Sequence, residues 1–324
     1  MTMRGAARRG WIAALTLAAL AGCDAPMTPA PAPGGGPSAE APAAPPSPRV
    51  SPTVPSETSQ TLARYYARVQ AGLLERGLLR RDGGGADTPF TSAMLARNFE
   101  QIALYDEYGG GNGTLRGRET EIPLRRWEDP VRISMEFGAT VAPQQREIDR
   151  SFVRGYVARL ANLTGHPITM TDSAPNFHVL VLNEDERRTI GPRLREIVPG
   201  INEGSVNTVE NLPRGVLCLV LAFPGVEGDM RYHRAIALVR GEHPAQLREA
   251  CFHEEIAQGL GLGNDSPAAR PSIFNDNEEF ALLTRQDELL LKILYDPRLS
   301  PGMTLDEAHP IIVTIAAELV GGPV

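Results

Sequence analysis

Residues 247–265, LREACFHEEIAQGLGLGND, restrict the possible folds more than any other stretch of the chain. At 100° per residue, Phe252, Ile256 and Leu260 form one apolar surface, while Leu247 and Cys251 begin a second on the opposite side. A helix apolar on two sides has no face to give to water, so it is interior and needs a packing layer on each side. The second stripe changes character as it continues. Its next places, within about 60° of Leu247 and Cys251, hold Glu254 and Gln258, and Glu255 lies about 40° further round. Buried carboxylates and amides are costly unless paired or bound to something. Arg248 is one candidate partner, and a solvated or salt-bridged face is the plain alternative to a site.

The elements around this helix alternate. RWEDPVRISMEFG has the period of a strand, QQREIDRSFVRGYVARLANLTG that of an amphipathic helix, and NFHVLVLN that of a second strand. GVLCLVLAFPG and RYHRAIALVRG are two more strands, separated by GVEGD. After the interior helix come PSIFND, a helix over 285–295 with Thr284 as N-cap, and a last helix over 305–319 with Thr304 in that place. The order is that of an α+β domain over 121–324. Before it, 58–79 and 91–106 have helical spacing and are punctuated by RRDGGGAD and YGGGNGT, which predicts a small helical N-terminal unit over 58–120. Tyr65 and Tyr66 read as packing residues of that unit.

The first 22 residues carry Arg4, Arg8 and Arg9 without an acid, followed by the apolar run WIAALTLAALA, too short to span a bilayer. They predict a signal peptide. Its ending, Leu20-Ala21-Gly22-Cys23, resembles the bacterial lipobox, which implies lipidation of Cys23 and a lipid-anchored location in the cell envelope, facing the periplasm. An ordinary secretory signal with an incidental cysteine is the alternative. Residues 23–57, rich in Pro, Ala and Ser, then read as a disordered tether that in polyproline form reaches roughly 100 Å. Removing three arginines and no acid takes the net charge from −7 to −10, which argues against nucleic acid as a partner. Cys218 and Cys251 remain; in an exported chain such a pair is most simply a disulfide, with two separately buried thiols as the alternative.

The interior helix resembles the zinc helix of metzincin peptidases, H-E-x-x-H-x-x-G-x-x-H/D. Starting from His253 the fit fails at Ala257; pinned on Gly261 it becomes Glu254-Glu255-x-x-Gln258-x-x-Gly261-x-x-Asn264-Asp265. The resemblance then implies that Glu254, Gln258 and Asn264 stand in the ligand places, with Asp265 beside them, and that Glu255 stands in the place of the general base. GVLCLVLAFPG, with Leu217, Leu219 and Leu221, resembles the edge strand on which matrixin-type peptidases lay their substrate. Ser272-Ile273-Phe274 resembles the methionine turn, and Leu283-Thr284-x-x-Asp287 to Leu294-Tyr295 the closing helix. The implied fold is zincin-like: a mixed sheet, a central active-site-type helix and a small helical C-terminal lobe. The lipobox, the proline tether, RRWEDPVRI, NFHVLVLNEDERR, CxxEExxQ and PSIFND together resemble a family of proteobacterial lipoproteins defined as a domain of unknown function.

Two of the three ligand places hold neutral amides, poor donors for zinc, so a catalytic zinc site is not expected. The leading expectation is no cofactor. If a metal binds, Glu254, Glu255, Asn264, Asp265 and, should the turn fold back, Asp276 suit calcium or another hard divalent cation. Adjacent helix positions diverge by 100°, which weighs against Glu254 and Glu255 working as an acid–base pair. His166, His178, His233, His243, His253 and His309 show no ligand spacing and read as surface or satisfied core histidines, and NEDERR, 183–188, as an exposed helix start. The expected function is envelope binding of a peptide or protein by a degenerate zincin-like site. A metallopeptidase-like hydrolase using Glu255 and an unusual oxygen-ligand site is the first alternative, and a structural envelope lipoprotein the second.

Overall fold

The computed structural model describes residues 54–106 and 120–321; the expected signal peptide, Cys23, nearly all of the expected tether and the YGGGNGT stretch lie outside the described residues. The described residues all belong to one compact unit. In chain order its elements are α1 (Glu57–Glu75), α2 (Ser92–Ala103), β1 (Tyr105–Asp106), β2 (Thr120–Glu121), β3 (Val131–Phe137), α3 (Pro143–Thr164), β4 (Ile168–Met170) and β5 (Phe177–Leu182). There follow α4 (Glu184–Arg187), α5 (Gly191–Ile197), α6 (Glu203–Glu210), β6 (Cys218–Pro224), β7 (Tyr232–Arg240) and α7 (Ala245–Leu260). A 3-10 turn, Ile273–Asn275, precedes α8 (Arg285–Leu294) and α9 (Leu305–Val320). Thr284 and Thr304 cap the last two helices, each in a reciprocal box with the acid three residues on, Asp287 and Glu307.

The sheet has the order β4-β3-β5-β7-β6. β3, β4, β5 and β7 run parallel, and β6 pairs antiparallel with β7 at the edge, Cys218 opposite Val239 and Leu221 opposite Ile236. This is a mixed α+β architecture, as the alternation of elements predicts. Every side chain of β5 is buried, because helices cover both faces of the sheet. On one face Leu180, Leu182, Ile236 and Leu238 pack under α5 and α6. On the other, Val179, Val181, Ala235 and Val239 join a larger core with α3, α7, α8, α9 and α2.

Two expectations fail here for packing reasons. The N-terminal helices do not form a separate unit: α2 places Leu95, Phe99 and Ile102 in the main core, and α1 packs Tyr66 and Leu73 against Leu247 and Ala250 of α7. Their apolar stripes are too small to bury themselves. Nor is NEDERR exposed. Glu184 and Arg187 are buried, and Arg187 donates to its own Glu184 and to the carbonyls of Val209 and Glu210. The charges read as solvated because their partners, including Arg240 near Glu184, come from distant segments.

Candidate functional site

From Leu247 onward α7 is interior, with Glu249, Glu254 and Gln258 only partly buried. Two close approaches fix its C-terminal end. A Cβ on Gly259 would come within 2.5 Å of the Phe177 ring, and the Gly259 carbonyl accepts a 2.8 Å bond from the Trp127 indole. Gly261 caps the helix at φ 135°, and a Cβ there would meet the Arg125 carbonyl at 2.5 Å. The chain then turns back beside the helix, which sets Asp265 against Gln258; the amide of Gln258 donates to Asp265 Oδ1 at 3.2 Å.

The two glutamates converge despite the 100° between them. Their carboxylate oxygens lie within 4.8 Å of one another and of Cys218 Sγ. Cys218 is bonded to Cys251, Cα atoms 5.8 Å apart, so its sulfur is no thiolate ligand. The bridge ties β6 to α7 one turn before Glu254, and Cys218 Sγ touches Glu254 Oε2 at 4.0 Å. Glu255 is only 4% exposed, and its Oε2 is buried without a hydrogen-bond partner. Burial pushes the Glu254 carboxyl well above its ordinary range, and the neighbouring charges of Glu255, Asp265, Glu278 and Asp276 push the same way. Burial, then Asp265, does the same to Glu255. The largest charges acting on this pair are those of other acids. Asp276 and Glu278, which act on Glu254, sit in the turn after the 3-10 segment, both at φ 59°, a left-handed conformation that non-glycine residues adopt at a cost.

The residues singled out from sequence divide accordingly. Glu254, Glu255, Gln258 and Asp265 come together. Asn264 does not join them: its side-chain amide donates to the Gln101 carbonyl at 2.9 Å, and its backbone N–H to Ile102, fastening the returning loop to the end of α2. Arg248 is no partner of the acids; it pairs with Asp149 at 3.1 Å and donates to the carbonyls of Gly241 and His243. His253 is a satisfied core residue, stacked on Tyr156 at 3.8 Å with Nδ1 accepting the Leu283 N–H at 2.9 Å. Leu219 and Leu221 point their side chains to the α5–α6 face of the sheet, while Cys218, Val220 and Ala222 face the α7 side; Leu217 precedes the strand and packs near α1. The convergence of Glu254 with Glu255, and the part of Glu278, were missed. The acid-rich NDNEE next to an apolar turn is the only signal that marked the latter.

A zincin's metal does not fit this arrangement. One ligand place is tied to another helix, a second is an amide already bonded to Asp265, and the remaining donors are carboxylates.

Residues 92–314 match a family described as protein of unknown function (DUF2927). The chain belongs to this family. The DUF2927 match takes in the whole sheet, α7 and α8, and all five acids, and begins after α1. Comparison with curated proteins and with solved structures gives no significant match. Among the described residues no helix is long and apolar enough to cross a membrane.

Proposed function

We propose that this DUF2927 protein is a lipid-anchored envelope protein that captures an extended peptide or protein segment by strand addition to β6, in a zincin-like fold that does not carry out zinc catalysis. One observation carries the reading: β6 is the antiparallel edge of the sheet, and among the described residues it pairs only with β7. An unpaired edge is a template for an added strand. Strand, helix, strands and then an interior helix is also the element order of matrixin-type peptidases, whose edge strand holds substrate. The Cys218–Cys251 bridge holds this edge beside Glu254, so an added segment would lie along the acid cluster. The lipobox resemblance at Cys23 supports the anchor.

Along β6 the N–H groups of Leu219 and Leu221 point to one edge and those of Cys218, Val220 and Ala222 to the other. One set serves β7 and the other faces out. Proline at an outward position removes a donor for the incoming strand and leaves the ladder to β7 whole. We expect either Leu219→Pro and Leu221→Pro, or Val220→Pro, to keep the fold by circular dichroism and to abolish capture of a selected extended peptide by the full chain. Glu255→Gln is expected to retain capture. Full capture by every folded proline variant would sink the model, and loss of cellular complementation by Glu255→Gln with capture intact would favour the hydrolase.

A further inference from the structure

Glu254 and Glu255 bring carboxylate oxygens within 4.8 Å of each other near the end of α7, Asp265, Asp276 and Glu278 lie within electrostatic reach of Glu254, and one oxygen, Glu255 Oε2, is buried with nothing to bond to. We propose that Glu254, Glu255 and Asp265, with Asp276 and Glu278 at the rim, form a binding site for a hard divalent cation of the calcium class. The orphan oxygen separates this from a merely acidic surface: a buried acceptor without a partner costs about 1–3 kcal/mol, more when charged, and is rarely retained without use.

The spacing suits an ion. Calcium sits 2.3–2.6 Å from its ligands, so two oxygens on one ion can be up to about 5 Å apart. The two glutamates present oxygens within 4.8 Å. Oxygen-only donors exclude a preference for zinc, and three sources at separate points of the chain, helix, returning loop and left-handed turn, supply the irregular cage that calcium tolerates and magnesium does not. The left-handed Asp276 and Glu278 then have a reason: that turn brings two acids toward α7. Gln258 holds Asp265 in place through its amide. This inference is independent of peptide capture, since the ion is read on the protein alone.

The test uses the full chain in detergent, stripped with EDTA and desalted, with calcium added in a thermal unfolding series and in a calorimetric titration, and zinc as the competing ion. One calcium per chain is expected, with the melting temperature raised by about 5–10 °C at roughly a hundred times Kd. Glu255→Gln, without calcium, is expected to be at least as stable as the parent and to lose the calcium response. Asp265→Asn, on the loop and outside the helix, is expected to weaken binding at least about tenfold, and decides the matter if the first variant does not fold. No saturable response up to about 5 mM calcium, tighter binding of zinc, or an unchanged calcium response in Asp265→Asn overturns the proposal.

Discussion

His253 stands next to the acid pair and behaves in the opposite way to a metal ligand. Its Nδ1 accepts the Leu283 N–H, so the ring must stay neutral, and burial, helped by Arg159 and Arg81, lowers its pKa from the ordinary 6.5 to about 3. The unfolded chain takes up this proton below 6.5 and the folded chain only below about 3, so stability is whole above 6.5 and is lost as the pH falls through that window. At about two pH units below 6.5 the loss from this one group approaches 3 kcal/mol. Glu and Lys would charge the site, but in His253→Gln an amide oxygen accepts the same N–H without titrating. Urea unfolding of parent and variant from neutral to acid pH should show a shallower acid limb in the variant. Parallel limbs would mean that the imidazole is free to protonate in the fold. Arg248 illustrates the same local logic: its charge is spent on Asp149 and two carbonyls, which leaves it unavailable to Glu254 and Glu255.

Among elements, β6 and α7 are the two on which the proposed capture rests, and the disulfide is what joins them. Pairing with β7 fixes only one side of β6; the bridge fixes its start to the turn of helix that ends in Glu254. Closing a loop across 33 residues of sequence lowers the entropy of the unfolded chain by an amount worth roughly 3–4 kcal/mol. The double variant Cys218→Ala/Cys251→Ala should lose about that much in urea unfolding, and reductant should lower the parent to the same level while leaving the variant unchanged. Equal stability of reduced and oxidised parent would contradict this. We expect peptide capture by the double variant to weaken as well, because the edge is then free to shift relative to the acids.

For the whole unit, the matched family span is not the complete core. α1 lies before residue 92, yet Tyr66 is fully buried between α7 and the β7 end: its ring meets His243 edge-on at 4.5 Å and its hydroxyl donates to the Arg214 carbonyl at 3.0 Å. α1 thereby covers the N-terminal half of the helix whose C-terminal half carries the acids. Truncating a buried aromatic leaves a cavity that costs about 3–5 kcal/mol, so Tyr66→Ala should destabilise the entire unit by that amount in one cooperative transition. A change below about 1 kcal/mol, or a separate early transition, would show α1 to be an independent appendage.

The sequence alone determined the elements that depend on local periodicity and caps. The strand–helix–strand order, the capped helices after Thr284 and Thr304 and the interior character of α7 all follow from spacing of a few residues, which helix and strand geometry translate directly into faces. Short or charged elements were not legible in this way: β4 is only three residues long, and α4 draws its buried partners from residues up to 58 positions away. For the site, residue types at 254, 255, 258 and 265 were legible as one group, but their geometry was not. Only the tertiary structure turned Asn264 toward α2, bent Glu254 and Glu255 toward each other against their helical divergence, and brought Asp276 and Glu278 across from a left-handed turn. Side-chain torsions and loop closure decide such meetings, and they are set by what packs around the helix, which no spacing along the chain encodes.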